Sequence, residues 1–223
     1  MNSDSLNISI YTYSNKRILL AFIGITTVCF LLTLAGQYLL LIDELYFNNL
    51  SEQLTFEEIQ DLTNQSRKWS WLMYIVLPLL NLIKFTLITS CLSLGYYFIS
   101  NQWKFNSFFY IVVQAELIQL LPLLVRLIWF LFFQTNYSFN DVQAFYPLSV
   151  FNLIEDKTAT PYLSYLFQTL NLFELLYWIA LAYGISQIVK MPVNETFGLV
   201  AASYGSGLLI WIMCIMFLTV SLL

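Results

Sequence analysis

Four ionisable side chains stand inside otherwise apolar runs: Lys84, Glu116, Arg126 and Glu174. Charges at such positions are costly in hydrocarbon, so they turn toward a protein interior or a watery cavity, and they mark function or packing. A lysine and two carboxylates could line a path for a proton or a solute. Two cations and two anions could equally pair with one another and with amides, and so specify how helices pack. At 100° per residue, Glu116, Gln119, Leu123, Arg126 and Phe130 fall within about 80° of arc, giving one helix a polar stripe with Pro122 in its middle. Asn81, Lys84, Cys91 and Gly95 make a similar narrow stripe on another. A transport path usually brings broken helices or an internal inverted repeat. Neither is visible in the sequence, and on that ground the packing reading is preferred. The path through Lys84, Glu116 and Glu174 stays open beside it.

Other chemistry is poorly provided for. The chain has no His, the commonest metal ligand and the usual base near neutral pH. Its three cysteines, Cys29, Cys91 and Cys214, lie in apolar runs without metal-type spacing and read as small buried hydrophobes. The seven glycines form no phosphate-cradling loop. There is no G-x-S-x-G elbow and no H-E-x-x-H. Glu57 and Glu58 adjoin as in double-glutamate membrane proteases, which also need histidines. The sequence therefore predicts no enzyme, no catalytic residue, no cofactor and no metal. The net charge of −4 comes mainly from one acidic loop and offers nothing to a nucleic acid.

The elements that must position these residues follow from composition. Of 223 residues, 59% are hydrophobic and 10% charged, against about 45–50% and about 25% in a soluble domain. With a mean hydropathy of +0.72, the chain reads as an all-α, polytopic transmembrane helical bundle in one domain. A water-soluble enzyme is excluded first. About 20 apolar residues cross a hydrocarbon core, and five segments reach that length, at approximately 18–42, 71–100, 106–134, 161–189 and 196–222. The first apolar run is too long for a signal h-region and no small-residue cleavage site follows, so it reads as a retained anchor.

Lys16, Arg17, Lys104 and Lys190 fall on short connections of one side, and Arg67, Lys68 and Lys157 on longer loops of the other. The denser positive side predicts N-in, C-out, although Arg67 and Lys68 beside the second span argue the other way. The outer loops are then 43–70 and 135–160. In the first, with Asp43, Glu44 and Glu52, Thr55 and Glu58 fit a capping box ahead of Ile59 and Leu62, which predicts a short helix. The second is rich in aromatics, including Tyr137, Phe139 and Phe145, and reads as a segment lying in the membrane interface. Trp69, Trp71, Trp103 and Trp129 sit at or near span ends as anchors. Asn-x-Ser/Thr triplets at Asn49, Asn64 and Asn136 are read as chance in an Asn-rich chain.

Gly198, Ala202 and Ser206 recur every fourth residue in the fifth span, with Ala201 and Gly205 alongside, and Ala180 and Gly184 do the same in the fourth. Small residues at this spacing let helices approach closely. Contact between the fourth and fifth spans is preferred over homo-oligomerisation.

The run from Asn171 through Glu174, Tyr177, Trp178, Ala180 and Ala182 to Gly184 and Ile185, the polar turn Lys190–Glu195 and the small-residue last span together resemble bacterial members of the Yip-domain family. The resemblance covers about residues 70–223. It implies a compact five-span protein, N-in and C-out, without established catalytic residues. The long cytosolic N-terminal region of eukaryotic members, which serves trafficking, has no counterpart here. The function expected is that of a non-catalytic accessory or scaffold subunit of a bacterial inner membrane. Its partners would be membrane lipids and another membrane protein or a second copy. A small transporter or channel, or a lipid-handling or membrane-shaping protein with lipid beside Pro122, are the alternatives.

Overall fold

The computed structural model describes residues 15–40, 55–69, 71–153 and 161–222. The N-terminal residues 1–14, the acidic loop positions Asp43, Glu44 and Glu52, the triplet at Asn49 and the loop residues 154–160 lie outside them, as do the side chains of Ile59, Leu62 and Arg67.

The described residues are mostly helical, with no strand among them beyond an isolated bridge between Ser149 and Asn171. In chain order the helices are α1 (Asn15–Leu40), α2 (Phe56–Trp69), α3 (Trp71–Ser100), α4 (Phe105–Ile128), α5 (Phe139–Gln143), α6 (Pro161–Thr169), α7 (Leu172–Val189), α8 (Val193–Val200) and α9 (Ser206–Leu222). A wide π-helical turn, Trp129–Phe133, continues α4, and a second, Ala201–Gly205, joins α8 to α9. Five helical stretches are long and apolar enough to cross a membrane: Asn15–Leu40, Trp71–Ser100, Phe105–Phe133, Leu172–Val189 and Val193–Ser221. Helix is the form such runs must take, because hydrocarbon offers nothing to an unpaired backbone N–H or C=O. Pro78 and Pro122 both lie inside helices that continue past them.

The fourth stretch corrects the expectation of one helix over 161–189. It breaks at Leu170 and Asn171, between α6 and α7. The break is stitched to the preceding loop: Val150 N–H donates to the Leu170 carbonyl (2.9 Å) and Leu172 N–H to the Leu148 carbonyl (3.1 Å). The Asn171 side-chain amide donates to the carbonyls of Gln168 and Thr169. Backbone groups freed by ending α6 and starting α7 are thus paired by side chain and loop, which hydropathy does not register.

Contacts divide the chain into two compact units. One comprises Met1–Ile25, Ile83–Gln119 and Leu148–Leu223, the other Thr26–Leu82 and Leu120–Pro147. The core of the first is built from Phe85, Leu92 and Tyr96 of α3, Phe108 and Val112 of α4, Tyr177, Leu181 and Ile185 of α7, and Val200 and Tyr204. The core of the second is Leu40, Phe130 and Val142, with Tyr137 and Phe145 packed on it. Here the aromatic loop folds back on the end of its own helix. Phe145 stacks on Trp129 (5.8 Å) and meets Phe130 edge-on (5.1 Å). Ser138 of the Asn136 triplet caps α5 in a reciprocal capping box with Asp141. At the start of α2, the Glu58 carboxylate accepts from both the N–H and the hydroxyl of Thr55.

Candidate functional site

The four intramembrane charges do not gather at one point. Lys84 and Glu116 pair across α3 and α4, Nζ donating to Oε1 at 2.6 Å. The Glu116 side chain is 8% exposed and that of Lys84 44%. The lysine stem therefore runs along the outside of its helix and turns its ammonium in to the buried carboxylate, as long cationic chains do. One turn further along α4, Gln119 Nε2 donates to Glu174 Oε2 at 2.6 Å. Glu174 Oε1 accepts two more bonds, from Trp178 Nε1 and from the Tyr204 hydroxyl, each 2.8 Å. All of this lies within the first unit and joins α3, α4, α7 and the second π turn. Arg126 belongs to the other unit, and its Nε is buried without a hydrogen-bond partner.

Local sequence explains each placement. Glu174 falls near the middle of the apolar run 161–189 read from the sequence. It stands instead in the first turn of α7, where the Asn171 side chain caps the helix by accepting from the Glu174 N–H (2.8 Å). A carboxylate here also meets the positive end of the helix dipole. Trp178 follows one turn later on the same face. Tyr204 comes inward through the π turn: buried positions run Thr196, Leu199, Val200, then Tyr204 and Gly205, a wider step than an α-helix gives. Around this network several polar atoms of the first unit are buried without partners, among them Glu116 Oε2, the Tyr177 hydroxyl, Thr89 Oγ1 and Ser93 Oγ. Among the described residues, no group of three or more His, Cys, Asp and Glu could hold a metal ion.

Sequence reasoning singled out Lys84, Glu116, Gln119 and Glu174 but not Tyr177, Trp178 or Tyr204. Within apolar runs, aromatic residues look the same whether they face lipid or a carboxylate. The signal that was present is Asn171 three residues ahead of Glu174, a cap spacing inside an apparently continuous span.

The small residues divide into two sets. Gly95, Gly184, Gly205 and Gly207 face inward and are fully used. An added Cβ at Gly95 would stand 2.6 Å from Ser203 Cβ, and one at Gly184 2.6 Å from Ile111. One at Gly205 would stand 2.8 Å from the Trp178 ring, and one at Gly207 3.0 Å from Cys91 Sγ. The fourth and fifth stretches do pack together, but through Tyr177, Trp178, Tyr204 and Gly205. Gly198, Ala202 and Ser206 are all exposed, Ala201 is half-buried, and nothing lies within 4 Å of a Cβ added at Gly198. The every-fourth-residue stripe faces away from the other described helices of its own unit.

These helices define an α-helical integral membrane protein. The chain matches no protein-family model, no curated protein and no solved structure.

Proposed function

We propose that the protein is a non-catalytic accessory or scaffolding subunit of a bacterial inner membrane, associating laterally with another membrane protein. The observation that carries this reading is the outward stripe of Gly198, Ala202 and Ser206, left open while the inward glycines are consumed by internal contacts. A helix bearing its own small residues could approach that stripe closely, gaining dispersion contacts that lipid tails supply less well. The network around Glu174 supports the same division of labour. Its donors are spent on holding α4, α7 and the π turn together, which leaves the outer face to do the binding. The resemblance of the Asn171–Ile185 run to bacterial Yip-domain proteins agrees with a protein lacking catalytic residues.

Extraction into native nanodiscs followed by mass measurement tests the reading. The wild-type particle should exceed one chain, and Gly198→Leu or Ala202→Leu should release the lone chain with its helix content unchanged. The N-in, C-out orientation rests on the density of Lys16, Arg17, Lys104 and Lys190. In a background freed of the native cysteines, Gln102→Cys should resist an impermeant thiol reagent in intact cells and Asn140→Cys should react.

A second reading, a small transporter or channel using Lys84, Glu116 and Glu174, draws on the break before α7, since discontinuous helices often frame transport sites. It requires Lys84→Met or Glu174→Gln to abolish a flux in proteoliposomes while the fold is kept. The scaffold reading requires such changes to act on stability.

A further inference from the structure

We infer that the Glu116–Glu174 pair is a proton-binding site, holding one proton per chain on Glu116 Oε2. The first argument is a charge count. The network contains one ammonium, Lys84, and two carboxylates, which leaves one negative charge uncompensated. Inside a membrane such a charge is neutralised rather than tolerated. Among the described residues no further cation joins it. Arg126 lies ten residues beyond Glu116 on α4, about 15 Å along the helix.

The second argument is hydrogen-bond supply. Glu174 already accepts three bonds, two on Oε1 and one on Oε2. Glu116 accepts one, on Oε1. Its Oε2 is buried and empty, so it is the one carboxylate oxygen of the pair left open to carry a proton. The third argument comes from Tyr177. Its hydroxyl is fully buried on α7 without a partner and within electrostatic reach of both carboxylates. Neither atom has a hydrogen-bond partner, so a protonated Oε2 reaches the Tyr177 hydroxyl through a water and not directly. Among the described residues, the titratable and charged groups facing the pair are Lys84 from α3, Tyr177 from α7 and Tyr204 from the π turn. The first-unit part of α1 adds only Ala21, Phe22 and Ile25 to this core. Glu116 and Gln119, which donates to Glu174, stand one turn apart on α4, so both carboxylates serve one part of the core and removing either acid removes the need for the proton.

Infrared spectroscopy of the full chain in nanodiscs at neutral pH reads the site directly, because exposed carboxyls are ionised there and give no carboxylic C=O band. The wild type should show one deuterium-sensitive carboxylic C=O stretch per chain. Glu116→Gln and Glu174→Gln should each abolish it, and Lys84→Met should double it, since both acids must then be neutral. Exchanging choline chloride for sodium chloride should leave it unchanged. A wild type without the band, a band that survives in both Gln variants, or one that sodium removes would overturn the assignment. The wild-type and salt measurements stand even where a variant does not fold.

Discussion

Glu174 accepts three side-chain hydrogen bonds, and it draws its donors from α4, from α7 itself and from the π turn. In hydrocarbon-like surroundings each such bond contributes about 1 kcal/mol, whereas an abandoned buried donor costs about 1–3 kcal/mol. Tyr204→Phe removes one bond and leaves two, and should lower unfolding stability by about 1 kcal/mol. Glu174→Ala strands three donors at once and should cost about 3 kcal/mol or more. Unfolding by sodium dodecyl sulfate titration in mixed micelles, followed by near-UV circular dichroism, measures both. A Glu174→Ala protein as stable as the wild type would contradict the role given to this carboxylate. Lys84, Glu116 and Glu174 were legible in the sequence because a charge in an apolar run stands out by type alone. Tyr177 and Tyr204 were not, since their roles depend on where a π turn and a helix break aim them.

At the scale of elements, the five apolar runs were legible because length and hydropathy are local properties. The break before α7 was not, because it depends on Leu148 and Val150 reaching back across the loop to Leu172 and Leu170. The direction of the small-residue faces was hidden for a related reason. A stripe at fourth-residue spacing says that something can come close, and only tertiary packing says from which side. The packing now separates glycines that look alike in sequence. Gly95→Ala and Gly184→Ala drive a methyl to 2.6 Å from a neighbouring side chain and should each cost about 1–3 kcal/mol. Gly24→Ala enters open space and should be neutral or stabilising by up to about 1 kcal/mol through helix propensity. Thermal unfolding of the three variants in one detergent checks the contrast.

The α5 cap makes a pH prediction at the same scale. Hydrogen bonds from the Ser138 N–H and hydroxyl hold the Asp141 carboxyl below its usual range. A carboxyl depressed in the folded state stabilises at pH above its unfolded value, about 4, and that contribution is lost as pH falls through the lower folded value. Amide exchange in Phe139–Gln143 should therefore be slow at pH 5, accelerate well below pH 4, and lose this dependence in Asp141→Asn. Exchange that stays pH-independent after correction for intrinsic rates would remove the cap from the explanation.

At the scale of the whole molecule, the polar network of the first unit and the stripe of Gly198, Ala202 and Ser206 take opposite directions. Charges, amides and tyrosines turn inward to fasten α3, α4, α7 and the π turn, and Gly198, Ala202 and Ser206 turn outward. On the proposed reading, the protein holds its own shape with the first set and meets a neighbour with the second. Composition made the membrane legible at once, but not this division, because the same residue types serve both purposes. The most direct test is the mass of the particle released from its own membrane into native nanodiscs, wild type beside Gly198→Leu. Lateral association predicts a wild-type particle heavier than one 26.0 kDa chain and a variant reduced to that single chain with its helices intact. A wild type that emerges as a lone chain, with no second protein in the disc, would contradict it.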